Sequence, residues 1–116
     1  MFVIDYTSKS YWVDLVKVSA SRYFVMYALS QKPMHGYDIA KWISDATNNC
    51  CCPGDGSLYP MLKDFEKGGY VTSEVLSVSG RKRKVYTLTA KGLEALAVAK
   101  EVWRLTVDVV QYTLNI

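Results

Sequence analysis

Two clusters in this chain carry side chains able to do chemistry. One is three consecutive thiols, Cys50, Cys51 and Cys52; the other is four consecutive cations, Arg81, Lys82, Arg83 and Lys84. Thiolates bind soft ions such as Cu(I), Hg(II), As(III) or Zn(II), or form disulfides, whereas buried thiols behave as small inert hydrophobes. Adjacent residues in an extended stretch point to opposite sides, so the three sulfurs converge only if the loop bends, which Pro53, Gly54 and Gly56 permit. A structural zinc wants four ligands, and His35 is the single histidine in the chain. Inert thiols, a redox switch, pairing between chains and a soft-metal or metalloid site therefore all stay open, and no cofactor is certain.

The cations suggest a different partner. They contribute four positive charges to a chain whose net charge is only +3, so the remaining residues sum to −1 and the positive charge is one patch. A basic run alone is most often a solvated turn; a basic patch on a near-neutral body suits a polyanion. Acid–base catalysis has little to work with. There is no Ser-His-Asp pattern, no phosphate-cradling glycine loop and no paired carboxylate, so an enzyme is not expected; a cysteine nucleophile with His35 as its base is the formal exception.

The elements that must position these clusters follow from periodicity. "SKSYWVDLVKVSASRYFVMYALSQ" has helical apolar spacing and predicts two helices meeting near Ser19 to Ser21, stopped at Lys32-Pro33. "MHGYDIAKWISDAT" sets Ile39, Trp42 and Ile43 on one helical face, starting near His35 or Gly36. After a loop from Asn48 to Gly56, Ser57 is expected to cap a short helix with Pro60 in its first turn. Leu58, Met61, Leu62 and Phe65 form its buried stripe, and Gly68-Gly69 its left-handed end.

"YVTSEVLSVSGRKRKVYTLT" then shifts to alternation, predicting strands at 70–77 and 83–88 around a turn at Ser79-Gly80, with the cations at the tip and on the returning strand. Thr89 caps a final helix whose apolar face includes Leu93, Leu96, Ala97, Trp103, Val107, Val110 and Leu114. That face is too long to hide against one small core, so part of it should meet a symmetry mate.

Helix, helix, turn, capped helix and basic hairpin is the order of a winged helix-turn-helix: mainly α with a small β-hairpin wing. The expected organisation is an N-terminal helical arm at 1–18, a DNA-binding domain at 19–88 built on three helices, and a C-terminal dimerisation helix at 89–116. In such a fold the helix after the turn enters the major groove and the hairpin lies along phosphates. Ser57, Tyr59, Pro60 and Lys63 face outward on that helix. Tyr59 suits a phosphate or base edge, or else packs under the wing; Lys63 reaches phosphate or guanine acceptors. The wing cations suit phosphate or minor-groove contact, and His35 and Tyr37 begin the preceding helix, where His35 serves either DNA contact or helix capping.

"MHGYDIAKWI", "GSLYPMLKDFEKGGYV" and "GRKRKVYTLTAKGLEAL" resemble, in order and spacing, the segments that typify the PadR family of transcriptional regulators. The resemblance spans roughly Asp14 to Trp103. It implies a homodimeric winged-helix repressor on a palindromic operator, with the dimer built from the N-terminal and last helices. It also places Trp103 where drug-responsive relatives line a central pocket, alongside the simpler role of a dimer-core tryptophan. Trp12, Leu96, Val107 and Val110 are the companion interface or pocket residues, with a small molecule or metal as the effector. The triple cysteine and Asp64, where a basic residue is more usual, depart from the pattern. A winged helix that docks proteins in place of DNA is the alternative.

With 116 residues, half of them apolar, the chain is expected to form one packed domain. No apolar run reaches membrane-spanning length, and "MFVIDYTSKSYW" lacks the long apolar centre of a signal peptide, so a cytoplasmic location is expected. Three adjacent cysteines are not a disulfide framework.

Overall fold

A single helix, α1 (Lys9–Gln31), runs through the region where two were expected. The serines at the supposed junction do not break it, because Ser19 donates to the Val16 carbonyl and Ser21 to that of Lys17 (2.6 Å), satisfying both hydroxyls within the helix. The computed structural model describes residues 3–115; residues 1 and 2 of the N-terminal arm and residue 116 of the last helix lie outside the described residues. The remaining order is β1 (Met34–His35), α2 (Gly36–Ala46), α3 (Asp55–Lys67), β2 (Val71–Val78), β3 (Arg81–Leu88) and α4 (Ala90–Leu114).

Three antiparallel strands form one sheet in the order β1-β3-β2. The short β1 was not visible in the sequence. It pairs Met34 with Tyr86 and His35 with Val85, so the entry to α2 is hydrogen-bonded to the middle of the hairpin. The hairpin itself pairs Val71 with Leu88 through to Val78 with Arg81, and turns at Ser79 and Gly80, both with positive φ. All four cations consequently belong to β3, and none sits in the turn.

The core lies between the two halves of the fold, with Ile39 and Ile43 from α2, Leu58 and Leu62 from α3, Val25 from α1 and Val71 from β2 fully enclosed. Each such aliphatic side chain contributes about 1.5–3 kcal/mol by leaving water. The stripe anticipated on α3, Leu58, Met61, Leu62 and Phe65, is entirely buried.

The start of α3 differs from expectation. Gly54 is its N-cap, and its carbonyl accepts from both Ser57 and Leu58 (2.9 Å each), so Ser57 lies inside the first turn and caps nothing. Pro60 accordingly falls in the second turn, where it deprives the Gly56 carbonyl of its helical donor on an exposed face. The end of α3 is as anticipated: Gly69 adopts φ +83°, and Tyr70 N–H returns to the Phe65 carbonyl (2.9 Å). Lys91 adds a charge at this negative helix end by donating to the Gly68 carbonyl at 2.7 Å.

Thr89 caps α4, its hydroxyl accepting from Gly92 N–H at 3.1 Å. Gly92 is buried where α4 approaches the sheet so closely that a Cβ would stand 2.3 Å from the Tyr70 carbonyl oxygen and 2.5 Å from Leu88. We expect Gly92→Ala to destabilise the fold by about 1–3 kcal/mol through forced separation of α4 from the sheet, read as a lowered midpoint in urea unfolding followed by circular dichroism.

Candidate nucleic-acid interface

Burial of one side of α3 leaves Ser57, Tyr59, Pro60 and Lys63 on the opposite, exposed side. The ring of Tyr59 lies on Gly36, the first residue of α2, where a Cβ would come within 2.7 Å of the tyrosine oxygen. Tyr59 thus packs on the start of α2 beside the wing strand β3 and still remains 48% exposed.

His35 terminates β1 and caps α2. Its Nδ1 accepts from Asp38 N–H at 3.4 Å, which puts the proton on Nε2, 3.1 Å from the Asp38 carboxylate. The imidazole is held by its own helix, and Tyr37 stands exposed next to it with the two rings nearly parallel.

These groups meet the wing in one cleft of about 270 Å³, lined by His35, Tyr37, Tyr59, Lys82, Arg83 and Lys84, with Gly36 and Tyr86 completing its floor. Six of the ten residues singled out for nucleic-acid contact are thereby brought together. Ser57, Pro60 and Lys63 lie exposed along α3 beyond the cleft, and Arg81 is exposed at the turn end of β3. Gly36 and Tyr86 were missed as participants. Tyr86 was findable, since alternation along β3 puts it on the same face as Lys82 and Lys84.

The four cations are not equivalent. Lys84 pairs with Glu66 of α3 at 3.5 Å and lies 5.7 Å from the Tyr86 ring centre, so its charge is partly committed to holding the wing on α3. Ser73 of β2 donates to the same carboxylate. That hydroxyl, opposed by desolvation and assisted by Lys84, holds the Glu66 carboxyl below its ordinary value, whereas burial pushes the Tyr86 phenol up.

The thiols separate. Cys50 is exposed, Cys51 is buried with its sulfur beside that of Cys50, and Cys52 turns away to donate to the Ala40 carbonyl at 3.4 Å. Among the described residues no group of three His, Cys, Asp or Glu side chains is arranged to hold a metal ion. Burial, with the neighbouring Cys50 reinforcing it, pushes the Cys51 thiol up to about 11; Lys17 on α1 acts in the opposite direction and does not prevail.

Cys51 forms part of the wall of a cavity of about 630 Å³ between α1 and α4, together with Val16, Tyr23, Phe24, Trp103 and Val107. Trp103 is half-buried, 6.2 Å from the Tyr23 ring centre. Trp12 is exposed near the start of α1, its indole donating to the Tyr6 carbonyl at 2.8 Å, and Val110 is exposed on α4. Leu96 is 3% exposed in the chain's own core, which leaves it no surface to offer a partner.

The PadR-like family of transcriptional regulators matches residues 25–98, more than half of the chain. The chain belongs to this family. Solved relatives superimpose well. The PadR-like transcriptional regulator of Bacillus cereus is 27% identical with a TM-score of 0.76, covering 86% of this chain and 96% of that one. A PadR family transcription regulator of Clostridium difficile is 28% identical with a TM-score of 0.72, covering 82% and 98%. An uncharacterized protein X of Lysinibacillus sphaericus is 30% identical over 80 residues, 68% of this chain and 73% of its own length. PadR-like proteins regulate transcription by binding DNA and are not enzymes, so the cleft between α3 and the wing belongs to a DNA-binding regulator. Among the described residues no helix is long and apolar enough to cross a membrane.

Removing the Ser73 hydroxyl tests the Glu66 latch. Ser73→Ala should raise the Glu66 titration midpoint toward the ordinary glutamate value of 4.5, as followed by carboxyl-carbon NMR. Because the folded-state value is depressed, the latch's contribution is complete above that ordinary value and is lost as pH falls through the folded one.

Proposed function

We propose that this PadR-like chain is a homodimeric repressor that binds a palindromic operator in the cytoplasm. The observation that carries this reading is the convergence of His35, Tyr37, Tyr59, Lys82 and Arg83 on one cleft beside the exposed side of α3. In this arrangement Tyr59 and Lys63 face base edges and phosphates in the major groove, while Arg81, Lys82 and Arg83 follow the backbone and supply affinity. Lys84, engaged with Glu66, chiefly sets the angle of the wing.

Dimerisation is supported by the apolar surface outside the core. Trp12, Val13, Leu15, Val16 and Val18 on α1, and Val102, Leu105, Val109, Tyr112 and Leu114 on α4, are all more than one-third exposed. So much exposed apolar side-chain surface on the two long helices of a small chain is the mark of an interface, and a two-fold mate is its simplest cover. The cavity between α1 and α4 borders that surface and suits an aromatic or thiol-reactive effector that releases DNA.

Fluorescence anisotropy with the chain's own upstream promoter fragment, against scrambled DNA, tests the DNA reading. Specific binding should weaken steeply with salt, and Lys82→Ala with Arg83→Ala should reduce the logarithmic slope by roughly 0.9 for every phosphate contact removed. Unchanged slope and affinity would exclude the wing from the interface. Sedimentation equilibrium tests the dimer: Leu105→Glu should shift the protein toward monomer with its helical circular dichroism retained.

A further inference from the structure

Cys50 and Cys51 present two free thiols with their sulfurs side by side, and the second of them forms part of the wall of the aromatic cavity between α1 and α4. Their placement is built in. Asn48 and Asn49 take left-handed backbone conformations (φ 52° and 64°), which asparagine tolerates. Thr47 then fixes the turn, its hydroxyl donating to the Ile43 carbonyl at 2.6 Å and accepting from Cys51 N–H at 3.3 Å. Cys52 is excluded from the pair by its own bond to the Ala40 carbonyl. The arrangement is therefore a dithiol at the edge of a largely apolar space with aromatic walls, which Lys100, Arg104 and Asp108 also border.

We propose that Cys50 and Cys51 chelate a trivalent arsenic carrying one aryl substituent, with the aryl group seated in the cavity against Trp103, Tyr23 and Phe24. Inorganic arsenite and zinc want three or four protein ligands, which this loop does not gather, whereas a monosubstituted arsenic needs two. The step balances without an oxidant. An aryl–As(OH)₂ exchanges its two As–O bonds for two As–S bonds, the two thiol protons leave with the hydroxyls as two waters, and arsenic stays trivalent. Exposed Cys50 bonds first, and buried Cys51 closes the chelate. The same loop leads into Gly54 and the first turn of α3, so closure strains the DNA-reading helix. That last consequence rests on the repressor function proposed above.

The test uses the full chain with glutathione present as a competing monothiol, and the probes phenylarsine oxide, methylarsonous acid and arsenite, read by intact-protein mass spectrometry and competition. Phenylarsine should add once per chain; Cys50→Ser and Cys51→Ser should each lose the adduct, and Cys52→Ser should keep it. Burying the ring should favour phenyl over methyl by about ten- to a hundredfold. Trp103→Ala should erase most of that preference, and Trp103→Phe, which keeps an aromatic wall, should retain it. Loss of the adduct in Cys52→Ser, its survival in Cys50→Ser, or equal affinity for phenyl and methyl in the unmodified chain would each overturn the proposal. Promoter anisotropy on the same samples separates the two ideas: a cavity-dependent adduct that leaves DNA affinity unchanged supports the chelate and counts against its coupling to repression.

Discussion

The pairing of Met34 and His35 with Tyr86 and Val85 ties the entrance of the helix-turn-helix to the centre of the wing, and the geometry of the cleft between α2, α3 and β3 depends on it. Two residues of strand suffice because β3 is already held along its other edge by all of β2. This makes β3 a shared spine. Its buried Tyr86 anchors the sheet in the core, its cations project where His35 and Tyr37 begin α2, and Tyr59 of α3 closes the space between them by packing on Gly36. Losing the short strand would leave α2 and the wing connected only through side chains, whose torsional freedom is far greater than that of a hydrogen-bonded ladder.

A second tie runs along the opposite edge of the wing. Glu66, near the end of α3, accepts from Ser73 of β2 and pairs with Lys84 of β3. An exposed ion pair adds little stability by itself. Here its role is angular: it fixes the wing against α3, so that the cations and the exposed side of that helix are presented as one rigid surface.

Much of this was legible in the sequence, and the failures have definite physical causes. The apolar stripe of α3, the left-handed Gly69, the Ser79-Gly80 turn and the Thr89 cap all rest on local chemistry, and each is found where its residues indicated. Ser57 misled because a cap is recognised by residue type, and here the backbone carbonyl of Gly54 already serves the first-turn donors, extending the helix to Asp55. Ser19 and Ser21 misled because serine hydroxyls can be satisfied within a helix as readily as at its end. The two-residue β1 has no period to detect. In the cleft, alternation could have added Tyr86, but the commitment of Lys84 to Glu66 joins residues distant in sequence and leaves no local mark. The parting of Cys52 from its two neighbours is equally hidden, since it depends on the approach of the Ala40 carbonyl.

The enclosed core begins at Val25 and ends at Leu96, nearly the span over which the chain matches its family, 25–98. Outside that span the first half of α1 and the last half of α4 answer to each other and to whatever covers them, with few obligations to the core. Evolution is thereby given two separable parts. The central part must satisfy a fixed packing problem. The flanking helices, and the cavity between them, can accept new side chains without disturbing the packing of the core.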